Sequence, residues 1–446
     1  AGSSAQIKQS ADTVHGEFLE IRDINATGGA EFIARSSLDL GNNQGWTFIG
    51  YQPVDYYWIG GTGNWTDLDN WSSASGGNAD MTELPGRLDN AIFDENSFDA
   101  DNQTVTVNQD VSIYNLNWAG AEGLPTLFAN NANSLDVYGS LWLTDSMTYN
   151  VVYTYFRGDS SGKEIYADKE HFNDAYRFEF YEGDYEVRDS LSIDYIVIYS
   201  GGFNTNDHPL NLSGMNIEKD AYKNIHLGRS IIHATNWELD ADDLTLDADE
   251  ATINITNGDF WGNRDGYDVK YGHLILEGNI HLLNNADYDT LEFRPGSNIE
   301  IGVGSTINVD HLIANGEQNN RISLASVSNG GSSTISKASG TVNASYLDIR
   351  DNTVTGGATF NATFSDTISN VSGWNLLKVD QTISFAFADT QYTVQPLILD
   401  ADAESGGTVT YEVISGAATV NHDTLLLEST GTIELAAYQS GTNYYL

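Results

Sequence analysis

Residues 273–283 read HLILEGNIHLL. Leu274 and Leu276 before the glycine, and Ile280 and Leu282 after it, fall on every second position. A half-buried β-strand shows that spacing, because successive side chains point to opposite faces. The same alternation runs through TVTV (104–107), SLDVYGSLWL (134–143), DLTLDADEATINIT (243–256) and SYLDIRD (345–351). Helical periodicity is almost absent. Only six prolines interrupt the chain, and no rhythm of Asn-Gly turns joins the strands into hairpins. The strand phrases recur about every 20 to 24 residues in places, with Asn and Gly at the corners, as in a coil whose turns stack on one another.

These features predict an all-β chain. Residues 58–376 are expected to wind as a right-handed parallel β-helix of about fourteen turns, about 60–70 Å long, with ladders of Leu, Ile, Val and Phe facing inward. A β-sandwich or jelly roll is the competing reading.

A second signal is internal. FLEIRDINATGGA (18–30) returns as YLDIRDNTVTGGA (346–358), 328 residues later. Thr13-Val14 matches Thr341-Val342, and Gly45-Trp46 matches Gly373-Trp374, at the same offset. The unbroken register marks residues 1–49 as the end of a preceding repeat module. Residues 50–57 are then a linker and 58–376 a full copy. From 377 to 446 about seven short alternating strands predict a small immunoglobulin-like sandwich, disulfide-free because the chain has no cysteine.

The formal charge is −44, from 63 acidic and 19 basic residues. Such a surface disfavours nucleic acid and anionic membranes as partners. No apolar run approaches the length of a membrane span. The acids suit either a solvated surface or divalent cations. Candidate calcium ligands are Asp243, Asp247 and Asp249 in DADDLTLDADE (240–250), and Asp89 and Asp94 in a second cluster with Asp99 and Asp101. Neither follows the EF-hand or the calcium-binding nonapeptide pattern.

YYWIGGTGNWTDLDNWSSASGG (56–77) gathers Trp58, Trp65 and Trp71 among glycines. Two roles compete. The indoles close the first turn of the solenoid, whose open end would expose core and strand edge, or they form a platform for sugar rings. Residues 151–200 hold twelve Phe and Tyr. Alternation sends part of them inward as core, and outward rings would form a ligand-facing stripe.

The pattern W-x-G-G-x-G-N-W-x-x-x-x-N-W, then P-G-x-x-D-N-x-x-F-D, then L-D-I-R-D…T-G-G-A…G-W, resembles repeats in very large surface proteins of gliding Bacteroidota, the SprB-like gliding adhesins among them. The stretch K-V-D-Q-T-I-S-F (378–385) resembles the immunoglobulin-like repeats that often follow them. The resemblance implies export by the type IX system and display at the cell surface, through a parent protein associated with the outer membrane. It implies an adhesive or matrix role in attachment or gliding, with extracellular polysaccharide or surfaces and neighbouring modules as partners. It supplies no catalytic residue.

Enzymatic β-helices are the remaining alternative. A pectin-hydrolase pattern is only partly matched: Asp242-Asp243 is present, Leu274 breaks Gly272-His273, and Asn204-Thr205-Asn206-Asp207 only approximates the third element. A lyase needs a base and a cation at the uronate. Arg22 and Arg350 lie in the repeated phrase, where pairing with Asp23 and Asp351 gives them a structural job. The expectation is therefore a non-enzymatic module, with a carbohydrate-binding module as the alternative.

Overall fold

The computed structural model describes residues 4–17, 19–35, 37–49, 53–130, 132–167, 176–219, 221–241, 243–264, 269–385 and 396–446. The chain is all-β with about 1% helix, and it winds as a parallel β-solenoid of about 16 turns. It divides into two compact units. One comprises Ala1–Asn211, Asp220–His226 and Asp243–Thr245; the other comprises Leu212–Lys219, Leu227–Asp242 and Leu246–Leu446.

In the first unit the coils between residues 90 and 157 each contribute to three parallel sheets, and the coils after them to two. Asn90–Ile92 pairs with Asn115–Asn117, Thr104–Val107 with Thr126–Ala129, and Val111–Ile113 with Leu135–Val137. Parallel pairing across 22 to 25 residues rules out the hairpin-built jelly roll there, because parallel neighbours need a crossover. Side chains at matching positions stack in the core. Phe156 lies on Phe180 with centroids 4.6 Å apart and rings 7° from parallel, and Phe93 lies on Trp118 at 3.8 Å.

The second unit is made of bent strand pairs. Lys270–Glu277 runs into Asn279–Leu283 through Gly278, and the next coils repeat this with Ala286–Phe293, Asn298–Ile301 and Thr306–Ala314. Gly278 has φ +81°, a left-handed conformation that glycine adopts without strain, and a Cβ there would lie 2.1 Å from Asn257 Oδ1 and displace that side chain. Residues 274, 276, 280 and 282 are all buried, as the opening alternation requires. Outside the coils, polar side-chain contacts join successive turns: Arg188 pairs with Glu164 across turns, and with Glu186 on its own, in the first unit, and His281 lies between Asp259 and Glu300 of the neighbouring turns in the second.

The described strands between residues 5 and 49 also form parallel coils. Thr13–Glu17 pairs with Glu31–Arg35, which pairs with Trp46–Ile49. Their counterparts Thr341–Ser345, Thr359–Thr363 and Trp374–Leu377 pair in the same register. Phe32 meets Trp46 edge-on at 5.3 Å and 65°, and Phe360 meets Trp374 at 5.5 Å and 66°. The linker positions 50–52 lie outside the described residues.

Beyond Leu377 the pairing becomes antiparallel. Ile383–Phe385 pairs with Ala401–Ala403, Thr424–Leu427 lies between Leu397–Ile398 and Ala418–Asn421, and Thr410–Ser415 pairs with Glu434–Tyr438. Leu399, Ala418 and Leu425 form a small core with Phe385, Tyr411 and Val413 against it. Residues 386–395, which the sequence reading placed inside the sandwich, lie outside the described residues.

Candidate functional site

The entry of the solenoid is built from the aromatic motif. Trp58, Trp65 and Trp71 are buried to 1% or less. Trp71 meets Trp58 at 5.1 Å and Trp65 at 4.9 Å, both edge-on, and all three surround Phe93. Trp58 Nε1 donates to the Gly61 carbonyl at 3.0 Å and Trp71 Nε1 to the Trp65 carbonyl at 2.9 Å, so these buried polar groups are satisfied. Trp71–Ser72 pairs antiparallel with the edge of Asp55–Trp58, whose other edge carries the first parallel neighbour, Asn90–Ile92. The sugar-platform expectation for these three tryptophans is corrected: no indole face is left for a ring to stack on.

The expected calcium ligands do not converge. Asp89 is 8% exposed, and its carboxylate accepts from the Gly86 and Val54 amides at 2.9 and 3.3 Å, clamping a turn. Burial raises its pKa, opposed by those two amides. Asp94 accepts from the Asn96 amide at 3.0 Å and caps a local turn with Ser97. Asp243 and Asp249 are exposed and Asp247 is half-buried, on or beside the strand Leu244–Asp247. Asp242 lies outside the described residues. Among the described residues no three His, Asp or Glu side chains are grouped to hold a metal. Alternation along one strand spaces carboxylates in a row, whereas a hard cation needs them wrapped around a point.

The repeated phrase has a stereochemical explanation. Asp23 and Asp351 both adopt left-handed backbone, φ 56° and 52°. Gly28 and Gly356 sit at φ +106° and +95°, where a Cβ would lie 2.4 Å from the Gln9 carbonyl and 2.0 Å from that of Lys337. Both motifs are corners that admit few residue types. Arg350 Nε approaches Asp351 at 3.5 Å, as the sequence suggested. The strongest partner of Asp351 is Asn370, however, and Asp23 pairs with Asn42 in the same way. Arg22 is exposed.

Two outward features are candidates for ligand contact. On the first unit, Tyr153, Tyr155, Tyr181 and Tyr199 form a stripe across successive turns. Tyr181 stacks on Tyr199 at 4.6 Å, and Tyr155 meets Tyr181 edge-on at 5.8 Å. The Arg157 guanidinium lies 4.2 Å from the Tyr181 ring centre and is fixed by Asp136 at 3.1 Å. The Tyr181 hydroxyl donates to the largely buried Glu179 at 2.9 Å. Burial and that carboxylate push the phenol's pKa up. The rings cover one another, so the stripe presents hydroxyls, a guanidinium and ring edges. Its signal lay in YTYFR (153–157), where Tyr153, Tyr155 and Arg157 share one face and Thr154 and Phe156 the other. Arg157 was not singled out because cation–π pairing reaches across to strand Arg177–Glu182.

On the second unit two grooves flank the Asp310 region. One of about 560 Å³ is lined by Asp289, Thr290, His311, Lys337 and Val342. The other, of about 350 Å³, is lined by Lys270, Asp287, Asn308 and Asp310. Lys270 pairs with Asp310 at 3.3 Å, and the Lys337 ammonium donates to the Asp310 carbonyl. Sequence reading missed these grooves because they exist only where neighbouring coils bend together.

The architecture defines the class: a parallel β-solenoid followed by a short antiparallel β segment. No protein-family model, no curated protein and no solved structure matches the chain.

Proposed function

We propose that this chain is a structural and adhesive module of a large, repetitive surface protein displayed outside the cell. The observation that carries the reading is the 328-residue recurrence. Two sets of terminal coils share strand register, corner glycines, the Asp–Asn bond and the Phe–Trp contact. A chain that ends coils twice in the same way is built by repetition, and repetition extends a solenoid to present surface. The antiparallel segment after residue 377 serves as an immunoglobulin-like spacer in this reading. The acidic surface keeps a crowded array soluble and apart. Membership of the SprB-like gliding adhesins, type IX export and a polysaccharide partner belong to the same proposal and rest on the sequence resemblance. The test is attachment. Beads coated with the chain are expected to stay on polysaccharide-coated glass under flow better than beads coated with heat-denatured chain. Equal retention would overturn the adhesive role.

The tyrosine stripe favours a second reading, a carbohydrate-binding module. Saturable binding on a glycan array, lost in Tyr181→Ala with Arg157→Ala, would promote it over a purely structural module.

A further inference from the structure

We infer that the upstream edges of strands Ala5–Lys8 and Glu20–Ile21 are docking edges for one more solenoid coil, patterned like residues 305–326 and joined by parallel backbone pairing. This deepens the modular part of the proposed function and does not depend on adhesion.

The downstream copy shows what such edges hold. Ser333–Lys337, the counterpart of residues 5–9, pairs on one side with Asn352–Gly356 and on the other with Thr306, Ile307 and Asn308. Leu347–Arg350, the counterpart of residues 19–22, pairs on its upstream side with Ile322, Ser323 and Leu324. In the first copy the downstream partners are present. Ala5–Lys8 pairs with Ile24–Thr27, and Glu20–Ile21 with Leu38–Asp39. Among the described residues nothing pairs upstream. The consequence shows in burial. Ile7 is 42% exposed where Ile335 is fully buried, and Leu19 is 36% exposed where Leu347 is fully buried. An unpaired strand edge with apolar side chains beside it is a template for another strand.

The copy also specifies the occupant. It must run parallel, which excludes a hairpin partner. It carries an aliphatic residue opposite Ile7, as Ile307 faces Ile335, and two opposite Leu19 and Ile21, as Ile322 and Leu324 face Leu347 and Ile349. A cation ahead of the second strand would meet Glu20, as Arg321 meets Asp348 at 2.8 Å. A second copy of this chain does not offer such a coil freely, because its own residues 306–326 are already covered by residues 333–349.

The test places residues 53–328, with their tryptophan entry, directly ahead of Ala1 in the full chain, which preserves the 328-residue register. Amide hydrogen exchange at residues 5–8 and 19–21 is expected to slow by at least about tenfold, toward the rates of 333–336 and 347–349. A control extension carrying Ile307→Pro and Leu324→Pro in the added copy alone should leave those rates fast. A shorter extension, residues 229–328, guards against misfolding of the longer one. Unchanged exchange in both extended chains would overturn the inference. So would protection of these edges in the unextended chain, whether intrinsic or through self-association. None of these readouts involves a ligand, so failure here is separable from failure of adhesion.

Discussion

Asn370 Nδ2 donates to Asp351 Oδ1 across 2.6 Å, and the aspartate that receives it is 1% exposed and in the left-handed backbone region. The Gly330 amide donates to the other carboxylate oxygen at 3.0 Å. The Asn370 bond, then the Gly330 amide, hold this carboxyl below its usual pKa. A depressed folded pKa gives stability that is complete above the unfolded carboxylate range, near pH 4, and is lost as pH falls through the lower folded value. Thermal stability is therefore expected to fall as pH drops below about 4, with a flatter profile for Asp351→Asn there. At neutral pH, Asp351→Ala should lower Tm more than Asp351→Asn, because asparagine tolerates the left-handed conformation. Identical pH profiles for wild type and Asp351→Asn would remove Asp351 from this role.

Trp71 closes the solenoid entry from inside. Trp71→Ala removes a fully buried indole packed on Trp58, Trp65 and Phe93, and is expected to cost about 3–5 kcal/mol in denaturant unfolding. Trp71→Phe should cost less. A cost below about 1 kcal/mol for the alanine variant would show that the entry does not depend on this ring.

The junction with the antiparallel segment is held by polar contacts. Tyr444 donates its hydroxyl to Asp366 at 2.5 Å, and Arg321 binds both Asp348 and Asp366. The Val379 amide donates to the Tyr444 carbonyl at 2.8 Å, tying the returning segment to the junction. Tyr444→Phe is expected to remove about 1.5 kcal/mol of local stability, the low end for a bond to a charged group, because Asp366 is 46% exposed. Faster amide exchange at Val379 and Leu446, with unchanged exchange at Ile349, would register it. Arg321→Lys should act in the same direction, since an ammonium cannot reproduce the fork that Arg321 also extends to the carbonyls of Leu347 and Phe364. Unaltered exchange at Val379 in both variants would show that the junction is held elsewhere.

Alkali should unfold the core through its tyrosines. Burial raises the pKa of Tyr149, Tyr185, Tyr271 and Tyr288 above the usual value. For a raised phenol the stabilisation is complete below the unfolded pKa, about 10, and is lost as pH climbs toward the folded value. Stability is expected to fall from about pH 10 upward, with tyrosinate absorbance from these four rings appearing together with loss of the β-sheet signal. Their ionisation in a chain that keeps its full β-sheet signal would contradict the burial seen here.

Much of this was legible in the chain. Alternation at 274, 276, 280 and 282 placed those residues in the core, because strand period is a local property. The 328-residue offset marked equivalent coils, because corners such as Gly356 and Asp351 admit so few residue types that the phrase must return wherever the corner does. The scarcity of hairpin turns pointed to parallel stacking. What tertiary structure alone decided is which groups face one another across turns. It buried Trp58, Trp65 and Trp71, leaving no sugar platform, and it kept the aspartates of 243–249 from gathering around one point. It also set Arg157 over Tyr181 and left Ile7 exposed while Ile335 is covered. Each depends on which groups neighbouring turns bring together, and local pattern carries no information about a partner the chain must bend to meet.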